Sequence, residues 1–175
     1  MPSQFSIKQR LIKKLQWTFQ VEGMNAVMFF GILIFINAAY DFKDLIFMSY
    51  GLLLMSFILL QGTYYWWKKL SVLEDKPIFQ NRTLNRFQNF RQKNKIAIAL
   101  IPVVILIQWY VSGQTLGSDN LIGWALFANA FAVLEHINYY HTQLMYDNRY
   151  DLRYLFRHKK LKEASLRKDL REQQI

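Results

Sequence analysis

Cysteine is absent from this 175-residue chain, and that one absence removes a group of chemistries. Disulfides, thiolate metal sites, iron–sulfur clusters, thiol nucleophiles and covalently attached c-type haem are all excluded. Histidine is scarce, at three residues, too few for a desaturase-type di-iron site. Glycine and proline number seven and three. They form neither a flexible linker nor a glycine-rich phosphate loop, so a single domain is expected.

The most informative absence is that of charge. Lys and Arg are missing from four long blocks, 23–40, 45–67, 96–112 and 121–140, and Glu135 is the single acid within them. Each block has about the length that crosses a hydrocarbon core, roughly 17–25 residues. Buried helices of soluble domains rarely run so far without charge. The sequence therefore predicts an all-α membrane protein with four transmembrane helices. Mean hydropathy near zero agrees, because the intervening segments are strongly charged. An uncleaved first helix is expected rather than a signal peptide: an amphipathic segment precedes it, and Ala38-Ala39 is followed by Tyr40-Asp41. The short connections at 41–44 and 113–120 predict two antiparallel hairpins.

The net charge of +10 is unevenly placed. Residues 1–20 carry Lys8, Arg10, Lys13 and Lys14 and no acid; residues 68–95 carry eight basic and two acidic residues; the segment after Tyr140 carries nine and five. The connections at 41–44 and 113–120 hold three acids and one Lys between them. Positive-inside bias then predicts an inner-membrane protein with both termini and the middle loop in the cytoplasm. Topology and anionic inner-leaflet lipid account for the basic balance, so no nucleic-acid partner is inferred.

Three segments outside the blocks are amphipathic. Ile7, Leu11, Leu15 and Phe19 recur every four residues beside Lys8, Arg10, Lys13 and Lys14, which predicts an interfacial helix over 1–20. In the 68–95 loop, Phe79, Phe87 and Phe90 alternate with Arg82, Arg86 and Arg91, which predicts a second. The named basic residues are the candidate lipid-headgroup contacts. Trp66-Trp67 before Lys68-Lys69 marks the inner interface. After the membrane domain (21–146), the fourth helix is expected to continue into a basic helical cytosolic tail, 147–175.

Depth along each helix, at about 1.5 Å per residue, brings polar residues to one layer at the inner boundary. The candidates are Glu22 and Asn25 on the first helix, Gln61 and Tyr64 on the second, and Glu135 and Asn138 on the fourth. The third block offers only Ala97 and Ala99 at that level. Steps of roughly 100° per residue put Glu135, Asn138, Tyr139, Thr142 and Tyr146 on one arc. His136, Gln143 and Asp147 flank it, Asn129 lies above it, and His141 falls on the apolar side. An ionisable group in a span faces the bundle interior by default. Glu135 is thus either a proton- or ion-handling carboxylate or a member of an interhelical hydrogen-bond knot; the knot is the favoured reading.

No enzyme is favoured. His136 and His141 do not have metal-box spacing, adjacent Glu135 and His136 do not make a di-iron Glu-x-x-His pair, and the R-x4-H spacing of Arg153 and His158 resembles the HEPN ribonuclease motif only by spacing. No metal or cofactor is assigned. The stretches EHINYYHTQLMYDN (135–148) and DLRYLFRHKKLKEASLRKDL (151–170) resemble the C-terminal half of small bacterial four-helix membrane proteins labelled general stress proteins. That resemblance implies a membrane protein of the same kind and carries no catalytic residues. The expected role is a non-enzymatic structural, regulatory or stress-related component that binds a membrane or cytosolic protein partner, or itself as a homo-oligomer. The alternatives are a homo-oligomeric channel or proton-coupled transporter using Glu135, and a haem or redox membrane subunit.

Overall fold

Each charge-free block is helical, and two of the helices run well beyond their block. A computed structural model describes residues 4–145 and 149–175. The helices are α1 (Gln4–Ala39), α2 (Ile46–Leu73), α3 (Gln80–Val111), α4 (Ile122–Tyr140), α5 (Arg149–His158) and α6 (Ser165–Glu172). No strand occurs among the described residues; an isolated backbone bridge joins Thr142 and Glu163. Three helices, over Ile7–Ala39, Ile46–Leu73 and Gln80–Val111, are long and apolar enough to cross a membrane. The fourth block forms α4, where Asn129, Glu135, His136 and Asn138 dilute the apolar run.

Two expected interfacial helices are not separate elements. The amphipathic segment over 1–20 is continuous, from Gln4, with the first apolar block. Nothing between the two halves breaks a helix, so the 36 residues of α1 extend about 54 Å, against a hydrocarbon core of about 30 Å. The middle-loop helix is likewise the first half of α3, and the true connection after α2 is only the stretch around Pro77. Pro102 lies within α3.

α2 is the hub. It packs against α1, α3 and α4, whereas α1 and α4 form no extensive interface with each other. The hairpin partners α3 and α4 touch only sparingly. The α2–α4 contact is close because small residues line it: Ala125, Ala128 and Ala132 are buried on α4, opposite Gly51 and Gly62. A Cβ at Gly51 would stand 2.6 Å from the Asn129 amide nitrogen, and one at Gly62 would overlap the Tyr139 hydroxyl. Small residues let helix backbones approach and pack without a hydrophobic driving force between them. Met24, Val27 and Phe35 on α1 and Ile96, Leu106 and Tyr110 on α3 face outward instead.

Buried amides tie the 41–44 and 113–120 turns together. The Gln108 side chain accepts from the Phe47 N–H (3.1 Å) and donates to the Lys43 carbonyl (3.0 Å) and Ser112 Oγ (2.7 Å). Asn120 donates to the Asp44 carbonyl (3.2 Å) and to Ser112 Oγ (3.0 Å). Asn37 and Ser49 join α1 to α2 at the same end.

At the opposite end the tail departs from expectation. α4 stops at Tyr140, where His141 leaves helical geometry (φ −131°, ψ −76°), and the chain folds back on the bundle. The Gln143 N–H donates to the Lys162 carbonyl (2.8 Å) and the Ala164 N–H to the His141 carbonyl (3.3 Å). α6 then buries Leu166, with Ile175 beyond it in the core. Asp169 accepts from both the Tyr65 hydroxyl and Lys69 Nζ, each at 2.7 Å. Part of the tail's apolar side, Leu166 and Leu170 included, is thus packed on the protein's own bundle.

Candidate functional site

The polar residues at the end of the bundle that carries the α2–α3 connection do not form one layer. α2 divides them into two clusters, one facing α3 and one facing α1.

The α3-side cluster is a closed knot. Gln61 and Asn94 exchange reciprocal amide hydrogen bonds, at 3.0 and 2.8 Å. The Tyr140 hydroxyl donates to Gln61 Oε1 (2.8 Å), and Asn94 Nδ2 lies 3.4 Å from His136 Nδ1. All four side chains are buried, Asn94 and Tyr140 completely. The His136 ring stacks on Tyr140, with centroids 5.0 Å apart, and meets His141 edge-on at 5.6 Å. His141 was expected on the opposite side of the helix. It reaches His136 because α4 ends one residue earlier, so helical angles no longer govern its direction. Thr142 and Gln143 leave the arc for the same reason and pair with the tail. Tyr146 and Asp147 lie outside the described residues.

Arg91 was expected to reach lipid headgroups. It is half-buried and turned inward, where its charge and that of Lys95 act on His136 and His141. Burial pushes the His141 pKa below the usual histidine value, and the positive charges of Arg91, Arg167 and Lys95 push it the same way.

The α1-side cluster is looser. Asn138 donates to Glu135 (3.3 Å) and accepts from the Leu144 N–H (2.8 Å). Glu22 lies beside the Tyr139 hydroxyl and feels the charge of Glu135. The buried Tyr139 hydroxyl sits between Glu22 and Trp66 Nε1 and interacts with both. These groups close one end of a cleft of about 410 Å³ that runs between α1 and the folded-back tail. Leu11, Leu15, Met145 and Leu166 are among its apolar walls, and Lys14 and Lys162 also line it.

Other candidates are placed elsewhere. Tyr64 faces α3 and accepts from Arg86 (3.3 Å). Asn25 is half-buried on α1 and joins neither cluster. Asn129 belongs to the other end of the bundle, donating to the Phe47 and Ala125 carbonyls, each at 2.9 Å. Lys8 pairs with Asp75 (2.6 Å), while Arg10, Lys13 and Arg82 are exposed. Among the described residues no three of His, Asp and Glu converge as a metal site.

Sequence reasoning missed Asn94, Tyr140 and Asp169. Asn94 had a usable signal. It continues the i, i+3/i+4 stripe of Phe87, Phe90, Ile98 and Ile101, visible once α3 is started before the apolar block. No protein-family model, curated protein or solved structure matches the chain.

Proposed function

We propose that the chain is a non-enzymatic integral membrane protein in which α4 crosses as a fourth span and both termini are cytoplasmic. It serves as a structural or regulatory component, in keeping with the stress-protein resemblance of residues 135–170, and it works through association with a membrane or cytosolic partner or with a second copy of itself. The observation that carries this reading is the Gln61–Asn94–His136–Tyr140 knot. A polar cluster consumed in pairing α2, α3 and α4 supports a packing role rather than a path for ions. The outward apolar faces of α1 and α3 suit lipid or a neighbouring subunit.

A second reading, a homo-oligomeric channel or proton-coupled transporter, is favoured by one feature only. Glu22 and Glu135 are close enough to feel each other's charge, and both act on Tyr139, outside the knot. Proton and cation flux into liposomes separates the two. The packing reading expects no flux above empty vesicles, with or without Glu135→Gln. Flux that Glu135→Gln abolishes would replace it with the transporter reading.

A further inference from the structure

We propose that Arg91 and Lys95 of α3, with His136 and His141 at the end of α4, form a binding site for a phosphate-type oxyanion, free in solution or carried on a lipid headgroup. The site lies at the edge of the knot and does not depend on the packing role proposed above. The tautomer of His136 follows from its neighbour. Asn94 accepts from Gln61 through Oδ1, and its Nδ2 is the atom that faces His136 Nδ1. An amide nitrogen only donates, so in the neutral ring Nδ1 accepts and Nε2 carries the proton. That Nε2–H is buried without an acceptor among the described residues, and so is the Nε–H of Arg91. The His136 side is closed to solvent, at 4% exposed. Buried donors left without partners are rare in native structures, so an acceptor from outside the protein is called for.

Charge identifies that acceptor. Arg91 and Lys95 are one turn apart on α3, with Asn94 between them in sequence, and both act on His136 and on His141. Arg167 of α6 also acts on His141, and its guanidinium lies 3.4 Å from the His141 carbonyl. Neither Arg91 nor Lys95 has a carboxylate partner among the described residues. Glu163, which Arg167 brings to this side, is shared between Arg167 (3.3 Å) and Arg171 (2.6 Å). Water would satisfy the two donors but leave this positive charge uncompensated; an anion does both. A guanidinium presents Nε–H and an Nη–H as a fork that takes two oxygens of a phosphate. The Lys95 ammonium and the His136 Nε2–H supply further donors, which suits a tetrahedral oxyanion better than a planar carboxylate. The site has access from the surface, because Arg91 and His141 are half-buried and Lys95 is exposed.

The test uses the full chain in an uncharged detergent, with the histidine rings isotopically labelled and read by NMR. The probes are inorganic phosphate, acetate at the same ionic strength, and phosphatidylglycerol. Phosphate binding should move the His136 and His141 signals to saturation and leave that of His158, on α5, in place. Lys95 is exposed, so Lys95→Gln keeps the fold; it should weaken binding about tenfold, as loss of one charge-assisted contact allows. Arg91→Gln should weaken it further. Arg91→Lys, which keeps the charge but not the fork, should recover only part of that loss. Arg82→Gln, elsewhere on α3, should change nothing.

Signals moved by inorganic phosphate assign the site to a soluble anion, and signals moved by phosphatidylglycerol alone assign it to a lipid headgroup; either result supports the proposal. No movement with either phosphate leaves water as the occupant and overturns it. So does an equal response to acetate, or a response that survives Lys95→Gln and Arg91→Gln.

Discussion

Gln61 illustrates how one buried amide can hold three helices. Its Nε2 donates to Asn94 on α3, and its Oε1 accepts from both Asn94 and Tyr140 of α4. A primary amide pair is self-complementary, so each partner satisfies what the other leaves open, and removal of either leaves a buried group that costs about 1–3 kcal/mol. The Gln61→Leu and Asn94→Leu single variants should therefore each destabilise the bundle by about that amount. The double variant should cost less than their sum, with a coupling of about 0.5–2 kcal/mol. Steric trapping or denaturation in mixed micelles, over all four members of the cycle, measures this. Strict additivity would mean that the two amides do not act as a pair.

At the scale of elements, what could be read from the sequence depended on how each helix announces its ends. The apolar blocks are bounded by charge, so their existence and order were plain. The amphipathic halves of α1 and α3 share their helices with apolar halves, and nothing in local composition distinguishes a helix that turns into the interface from one that runs straight on. Asn94 was hidden by that ambiguity. The His136–His141 contact was hidden because α4 ends without glycine or proline at Tyr140-His141; tertiary pairing with 162–164 sets the end instead.

That pairing predicts a pH response. His141 faces His136 across the ring contact, Arg91 and Lys95 of α3, and Arg167 of α6, whose guanidinium also reaches the His141 carbonyl (3.4 Å). Its folded pKa lies below the unfolded value of 6.5, so the native state favours the neutral ring. The stability this contributes is fully present above 6.5 and is lost as pH falls from there through the folded pKa. Limited proteolysis should cut the 159–164 strap faster at pH 5 than at pH 7.5, and His141→Phe should flatten the difference. Equal acid sensitivity in the variant would place the switch elsewhere.

For the whole molecule, α2 does what no sequence pattern announced: it is the buried axis on which three other helices are assembled, each through one face. A bundle arranged this way leaves α1 and α3 with broad apolar surfaces that water would not tolerate at this extent. Its acidic turns lie at one end, and most of its basic residues lie in the extensions of α1 and α3 and in the tail. Asp169 fastened to Lys69 and Tyr65 keeps the tail at the same end as the α2–α3 connection. If α4 crosses, that end is cytoplasmic under the positive-inside bias.

The absence of cysteine makes this directly measurable, because a single introduced thiol is unambiguous. Lys43→Cys and Thr115→Cys in intact cells should react with a membrane-impermeant maleimide. Asp75→Cys and Glu172→Cys should react only after permeabilisation. Positions 75 and 115 on opposite sides establish the α3 crossing, and 115 and 172 on opposite sides establish that of α4. Labelling of 115 and 172 from the same side would reduce the spans to three. It would also place the tail on the side of the membrane opposite to the α2–α3 connection.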